Sequence, residues 1–476
     1  ETANHLPFSL NRWFIKCRSC GKFETYSEER KEELEAQNYF DNCPGCGESN
    51  PTKYQSLYKL KSPLAYRTNF SQGSDSKDDS ELLLSRPPIF AEKIDNTAPI
   101  IVSNSNISIT DNDITWRINT NSDRFFTGRL YNTNNKFPFR QNDGFWFHNQ
   151  WLLNDLASPF NEDGCSLFIQ QIATSQDEQI ALASYKNTEI TRISPHLVPL
   201  ALNLNMFSSE QDPWHIKAQS SGVRSGYYSA AFLLQRILAD RLDVDPTEIE
   251  IADITMKNLN DGTDRKIAEI IVTDELPNGS GFVRYLYENF QNILNEVMNP
   301  HESNNYLGKI HSDLHQTSCK DSCYDCLKVF RNMNYHSLLD WRLGIAMLRI
   351  MNEQNYVCGT DGNFADYIEL RNWLGFATEL RDNFYNSFYS QSFTTERATF
   401  NNLPVIKFGG PNKKNVIMIV HPFWDLRNIR EENWLAETKA EIDIYCNNRG
   451  GEVSIIDTFN LHRRPGWCYE KLIKRV

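Results

Sequence analysis

Seven cysteines in two short clusters limit what this chain can fold into more than any other feature. Cys17-x2-Cys20 and Cys43-x2-Cys46 form the first; Cys319-x3-Cys323-x2-Cys326 forms the second. A CxxC turn aims two sulfurs and several backbone amides at one point, the geometry of a metal knuckle. Gly21 and Gly47 follow the second cysteine of each N-terminal pair, where such a turn favours a residue free to take positive φ. Four ordinary buried cysteines are the plain alternative, and the paired spacing disfavours it. Both clusters are therefore expected to hold structural zinc, which organises loops too polar to build a core of their own.

The triplet needs a fourth ligand. His336 follows Cys326 on the next turn, His315 precedes Cys319, and His311 lies close by. Either His336 or His315 completes a tetrahedron with a neutral imidazole, and the spacing is read here in favour of His336. An open, catalytic three-cysteine zinc requires a glutamate at deaminase-like spacing, which the sequence lacks. Cys319 and Cys323, on one helical face, leave redox chemistry as an alternative.

With 476 residues and 40% hydrophobic content, the chain has material for two to four domains. Paired thiols beside scattered single cysteines point to a reducing, cytoplasmic setting rather than a disulfide framework. No run of eighteen apolar residues occurs, so no membrane partner is expected. The opening ETANHLPFSLNRWF has neither a basic start nor an apolar stretch, so no secretory signal is expected. The net charge of −12 opposes a protein whose sole task is gripping phosphates, but it leaves room for local basic patches. Lys186, Arg192, Arg224, Arg236, Arg284, Lys328, Arg331, Arg342, Arg463 and Arg464 lie among aromatic residues including Tyr227, Tyr228 and Phe330. Together these can grip a single strand by charge and stacking, or be ordinary surface and core residues.

The predicted organisation is α/β and multi-domain. Residues 8–62 read as a zinc ribbon with a charged helix in SEERKEELEAQNYF, and 63–88 as a Ser/Asp/Lys linker. Residues 89–200 carry β segments such as PIIVSNSNISIT, CSLFIQQIA and EQIALASYKNTEITRI, with a last strand running to HLVPLAL. Residues 201–358 form a cysteine-containing α/β domain. Its first helix begins at Ser225, with Ala231, Leu234, Leu238 and Leu242 on one apolar face. The strand IAEIIVTDEL, the turn Pro277–Gly281 and the helix GFVRYLYENFQNILNEVM follow; this turn reads as a tight connection in preference to a phosphate site. Residues 359–476 read as a C-terminal α/β unit with strands LPVIKF, NVIMIV and EVSIIDTF and helix WLAETKAEIDIYCNNR.

Catalytic motifs fail in turn. No GxxxxGK[ST] loop exists, so the chain alone is not expected to turn over nucleotide. Glu437-x-Lys439 sits on a helical pattern without a paired strand aspartate, and His421 is followed by Pro422 and Phe423, which breaks HxKxxxxD. His421, Asp425 and Asp457 at strand ends remain an alternative nuclease site, set against a structural histidine.

The strings RSGYYSAAFLLQRILADRLDVDPTEIEIA, IIVTDELPNGSGFVRYLYENF and TSCKDSCYDCLKVFRNMNYHSLLDWRLG resemble the cysteine-containing domain at the C-terminal end of MrfA-like DEAD/DEAH-box helicases. The resemblance covers roughly residues 180–350. A version without a helicase core and with an N-terminal ribbon resembles the DrmB family of the DISARM anti-phage system. This implies a DrmA-like helicase ATPase as partner, DNA with single-stranded ends as ligand, and two zinc ions. The fused relatives carry a fourth cysteine near the place of Asn332, which is why His336 is drawn from spacing alone. The resemblance carries over no catalytic residue. A non-catalytic zinc-binding subunit is thus expected, with Arg224, Arg284 and Arg331, beside the matching strings, as DNA or partner contacts. A metal-dependent nuclease and a purely structural protein adaptor are the alternatives.

Overall fold

The computed structural model describes residues 5–17, 20–49, 53–60, 89–94, 97–119, 126–130, 138–140, 146–148, 177–208, 212–259, 261–301, 305–388, 394–409, 414–427, 429 and 433–473. The expected linker 63–88 and the segment CSLFIQQIA lie outside these residues. The chain forms two compact units: residues 1–96, 110–190 and 276–279 make one, and residues 97–109, 191–275 and 280–476 the other. Mixed α/β structure with an N-terminal cysteine-cluster ribbon is the fold class expected from the sequence. Among the described residues no helix is long and apolar enough to cross a membrane.

In the first unit the strand His5–Lys16 pairs antiparallel with Phe23–Tyr26 and with Lys53–Leu60, so the first CxxC turn caps a hairpin. The charged helix is Glu28–Ala36; the Ser27 hydroxyl accepts the Arg30 amide and starts it. Its polar faces suit a helix buried on only one side, where Leu34 meets Ile15, Tyr26 and Phe40. A second core gathers Phe14, Phe23, Phe90, Trp116, Ile118, Ala181 and Ala183. The Glu92 carboxylate at its edge accepts from the Thr25 amide at 3.1 Å and from Trp116 Nε1 at 2.7 Å.

The second unit is built around the helix Trp214–Leu242. Sequence spacing put its start at Ser225 and gave it one apolar face. It begins eleven residues earlier and is buried on nearly every side from Ser225 to Gln235. Small residues make this possible. A Cβ on Gly222 would lie 2.6 Å from Pro422 Cβ, and one on Gly226 would overlap the Phe423 ring. On a third side Gly344 of the helix Trp341–Asn352 lets Ser229 approach, where a Cβ would sit at 2.9 Å. Close packing therefore overrides the low helix propensity of these glycines. Asp243, in the left-handed region at φ 52°, ends the helix by returning its amide to the Ala239 carbonyl.

Around this helix lie the strand Lys266–Asp274, with Ile249–Ile251 and Thr255–Asn258 antiparallel to it, and the helix Phe282–Met298. A four-stranded sheet completes the unit. Thr394–Phe400, Leu403–Gly409 and Lys414–Val420 are antiparallel; after the crossover helix Trp434–Asn447, Val453–Asp457 pairs parallel to Lys414–Val420. Residues from both sides of Cys358 share one hydrophobic core. The expected strand to HLVPLAL stops at Pro195; beyond it Leu202 bridges Trp424 and Asn203 donates to the Phe423 carbonyl.

Candidate metal centres

Each N-terminal CxxC turn is built the same way. The Gly21 amide donates to Cys17 O at 2.9 Å, and the Gly47 amide to Cys43 O at 2.8 Å, with φ of 69° and 75° at the two glycines. The four sulfurs converge: Cys17 and Cys46 are 3.7 Å apart, Cys20 and Cys43 3.6 Å. A tetrahedral zinc with bonds of about 2.3 Å sets its sulfurs about 3.8 Å apart, so the four fit one ion. Disulfides are excluded at these separations, since a bonded pair stands about 2.05 Å apart. Burial pushes the Cys20 thiol far up and Cys46 up to about 11. Cys43 is also buried, yet the amides of Gly45 and Cys46 carry it below its usual value. Four crowded thiols cannot ionise together without a cation, and a bound divalent ion supplies one.

The second cluster joins His315, Cys319, Cys323 and Cys326, whose ligand atoms all lie within 4.8 Å of one another. Cys323 Sγ stands 3.5 Å from Cys326 Sγ and 3.6 Å from His315 Nε2; Cys319 Sγ and Cys326 Sγ are 4.0 Å apart. Tetrahedral zinc predicts about 3.8 Å between sulfurs and about 3.6 Å between sulfur and imidazole nitrogen. His315 Nδ1 donates to the Ile310 carbonyl at 3.1 Å, which leaves Nε2 as the free lone pair facing the thiols. Cys326 is drawn down to about 4, chiefly by the Cys319 thiol and then by His315 and the Cys323 amide, against its burial.

His336, expected as the fourth ligand, is not brought to this cluster. Its Nε2 lies 3.0 Å from the Val329 carbonyl and 2.9 Å from Asn332 Oδ1, and its ring meets Tyr324 edge-on. Asn332 is itself committed: it accepts the Val329 amide and donates to the Leu327 carbonyl. His315 replaces His336 because it stands one helical turn before Cys319, whose amide donates to the His315 carbonyl. Residues four apart in a helix share a face. His311, also nearby in sequence, turns its Nε2 to the Val297 carbonyl.

Outer groups fix the second site. Arg342 donates to the carbonyls of Cys319, Lys320 and Gln316 and stacks on Trp341, whose indole N–H also reaches Cys319 O at 3.2 Å. Tyr306 OH donates to the Cys326 carbonyl at 2.6 Å. Sequence reasoning grouped Arg342 with possible nucleic-acid contacts; it is spent on the metal loop.

The other expected site residues divide. Arg224 and Arg331 are exposed and Arg284 is half-buried in the first turn of its helix. Tyr227 and Tyr228 are buried, so they offer no stacking face. The Gly-rich turn before Phe282–Met298 already has its anion: Asp274 accepts the amides of Ser280, Gly281 and Val283 at 2.6, 2.9 and 3.2 Å. A helix start is an anion site, and a buried carboxylate of the chain occupies this one.

His421, Asp425 and Asp457 each have a structural partner. Burial lowers His421 to about 3, and its Nδ1 accepts the Phe423 amide. Asp425 binds Arg427 through both oxygens, and Asp457 caps the helix Thr458–Arg463 through the Asn460 amide. Among the described residues, the groups of three or more potential ligands that converge are the two cysteine clusters alone.

Comparison with known proteins agrees with this geometry. Residues 230–327 match the MrfA Zn-binding domain. That stretch holds His315 and all three cysteines of the second cluster. No curated protein matches the chain. A solved structure, the helicase MrfA bound to DNA, aligns over 56% of this chain at 9% identity and a TM-score of 0.27. The alignment takes in 25% of that helicase, so the chain spans about a quarter of its length. The chain carries two zinc sites, one of four cysteines and one of His315 with Cys319, Cys323 and Cys326.

Proposed function

We propose that this chain is a non-catalytic, zinc-braced subunit that binds DNA beside a separate helicase-like motor. The observation that carries the reading is the match of residues 230–327 to the zinc-binding domain of MrfA, with His315, Cys319, Cys323 and Cys326 brought together inside that stretch. MrfA is a helicase solved bound to DNA. The resemblance to DrmB supports a motor supplied by a partner of the DrmA kind. The resemblance to DrmB gives the setting: an anti-phage complex of the DISARM type that engages invading DNA with exposed single-stranded ends. Arg224, Arg284 and Arg331 are the cations assigned to DNA or to the motor.

The test is equilibrium binding of a fluorescent single-stranded oligonucleotide to the purified chain, alone and with a DrmA-like partner, over a salt series. Binding that weakens as salt rises, with charge reversal at Arg224 and Arg331 lowering the affinity, supports the reading. Absence of binding in both preparations, or affinity unchanged by both reversals, refutes it. Nucleotide turnover by the isolated chain refutes the motorless assignment.

A further inference from the structure

The loop that carries the second zinc site also carries three large apolar side chains in solvent. Leu314 is 79% exposed, Tyr324 63% and Phe330 46%. Each is tied in sequence to a metal ligand: Leu314 precedes His315, Tyr324 lies between Cys323 and Cys326, and Phe330 follows Cys326 by four residues. Elsewhere in the same unit large aromatic side chains such as Trp341, Trp424, Tyr227 and Phe290 are fully buried.

We infer that Tyr324 and Phe330 are a stacking platform for the bases of a single-stranded segment of DNA, with Lys328 and Arg331 facing its backbone. This rests on the DNA-binding reading above and names the residues that hold the single strand. Three observations carry it. The Tyr324 ring is held: it meets His336 edge-on at 5.8 Å, and His336 in turn is hydrogen-bonded at the Val329 carbonyl, the residue before Phe330. The segment beneath them is fixed by Asn332, the zinc thiols and Tyr306. Finally, two cations, Lys328 and Arg331, flank Phe330 in sequence, in a loop that also carries Asp313, Asp321 and Asp325. Lys320 is paired with Glu379, Lys328 shares its field with Asp321, and Arg331 shares its field with Asp245. Rigid aromatic faces interleaved with cations bind single strands without reading sequence, because every base has a π-face. A duplex keeps its bases stacked on one another and offers nothing to these rings.

The experiment uses the full chain with zinc bound and a fluorescent oligo(dT) against a hairpin duplex of the same length. Tyr324→Ala and Phe330→Ala are each expected to weaken oligo(dT) binding by about five- to a hundredfold. Zinc content should stay at two per chain, and duplex binding and the slope of affinity against salt should be unchanged. Phe330→Trp should restore affinity, and its indole fluorescence should be quenched on adding oligo(dT), a signal that a packing role does not produce. If the parent chain binds DNA and the alanine variants bind oligo(dT) equally well, the platform is wrong and the DNA-binding reading survives. If the variants lose the motor subunit while keeping oligo(dT), the patch is a protein-docking face and the inference is overturned. If the parent chain binds no DNA with or without the motor, both fall together.

Discussion

Replacing His315 with alanine should empty the second zinc site, whereas replacing His336 should not. Zinc folded into a small structural site contributes about 10–16 kcal/mol at neutral pH, so losing one of four ligands costs roughly 3 kcal/mol. At about 1.4 kcal/mol per decade, that weakens the site by roughly a hundredfold or more. His336→Ala removes only the hydrogen bond toward Val329 and Asn332, worth about 1 kcal/mol of stability, and leaves the ligand set intact. Both proteins would be dialysed against a graded series of chelator and their zinc measured by elemental analysis, with thermal unfolding followed in parallel. His315→Ala should drop from two zinc ions to one at chelator levels that leave the parent full. His336→Ala should track the parent in zinc and unfold slightly earlier. Retention of both ions by His315→Ala, with loss of one by His336→Ala, would refute the assignment of ligands drawn from the geometry.

Further outcomes follow from packing and charge. Asp274→Ala strips three amides of a buried acceptor and should cost at least about 3 kcal/mol, seen as a lowered urea midpoint; an unchanged midpoint would show the helix start does not depend on it. Gly226→Ala should lower the unfolding temperature despite alanine's better helix propensity, because the new methyl meets the Phe423 ring. Gly466→Ala, with open space about it, should be neutral or stabilising, and equal effects at the two sites would count against the packing described. His421 is neutral in the fold, its pKa lowered from 6.5 to about 3 by burial. The unfolded chain therefore binds an extra proton below about pH 6.5, and stability should fall as pH drops toward 4. His421→Gln should flatten that fall in urea titrations; the same slope in both proteins would contradict the buried, neutral imidazole.

The cysteine spacing made the first metal centre fully legible, since CxxCG twice over leaves little freedom in where four sulfurs point. The second was legible in its cysteines and misread in its histidine. Proximity after Cys326 favoured His336, but His315-x3-Cys319 is the helical spacing that puts two ligands on one face, and that signal was present in the sequence. The strongly periodic helix Phe282–Met298 was visible beforehand, as were the strands Leu403–Gly409 and Lys414–Val420. The central helix was visible only from Ser225 onward and with a single apolar face, because periodicity marks one buried face and Trp214–Leu242 is buried on several. Its contacts at Gly222 and Gly226 come from residues about two hundred positions away, which no local pattern encodes. The role of Asp274 was hidden for a similar reason: the Gly-rich turn advertises an anion site, and only the fold reveals that the chain supplies the anion.

The most direct measurement is X-ray absorption at the zinc edge of the purified chain, combined with metal stoichiometry. Two zinc ions per chain with a shared first shell of seven sulfurs and one imidazole nitrogen are predicted by the two ligand sets. A chain holding fewer than two ions, or a shell rich in oxygen and nitrogen, would contradict the zinc-braced architecture on which the DNA-binding reading is built.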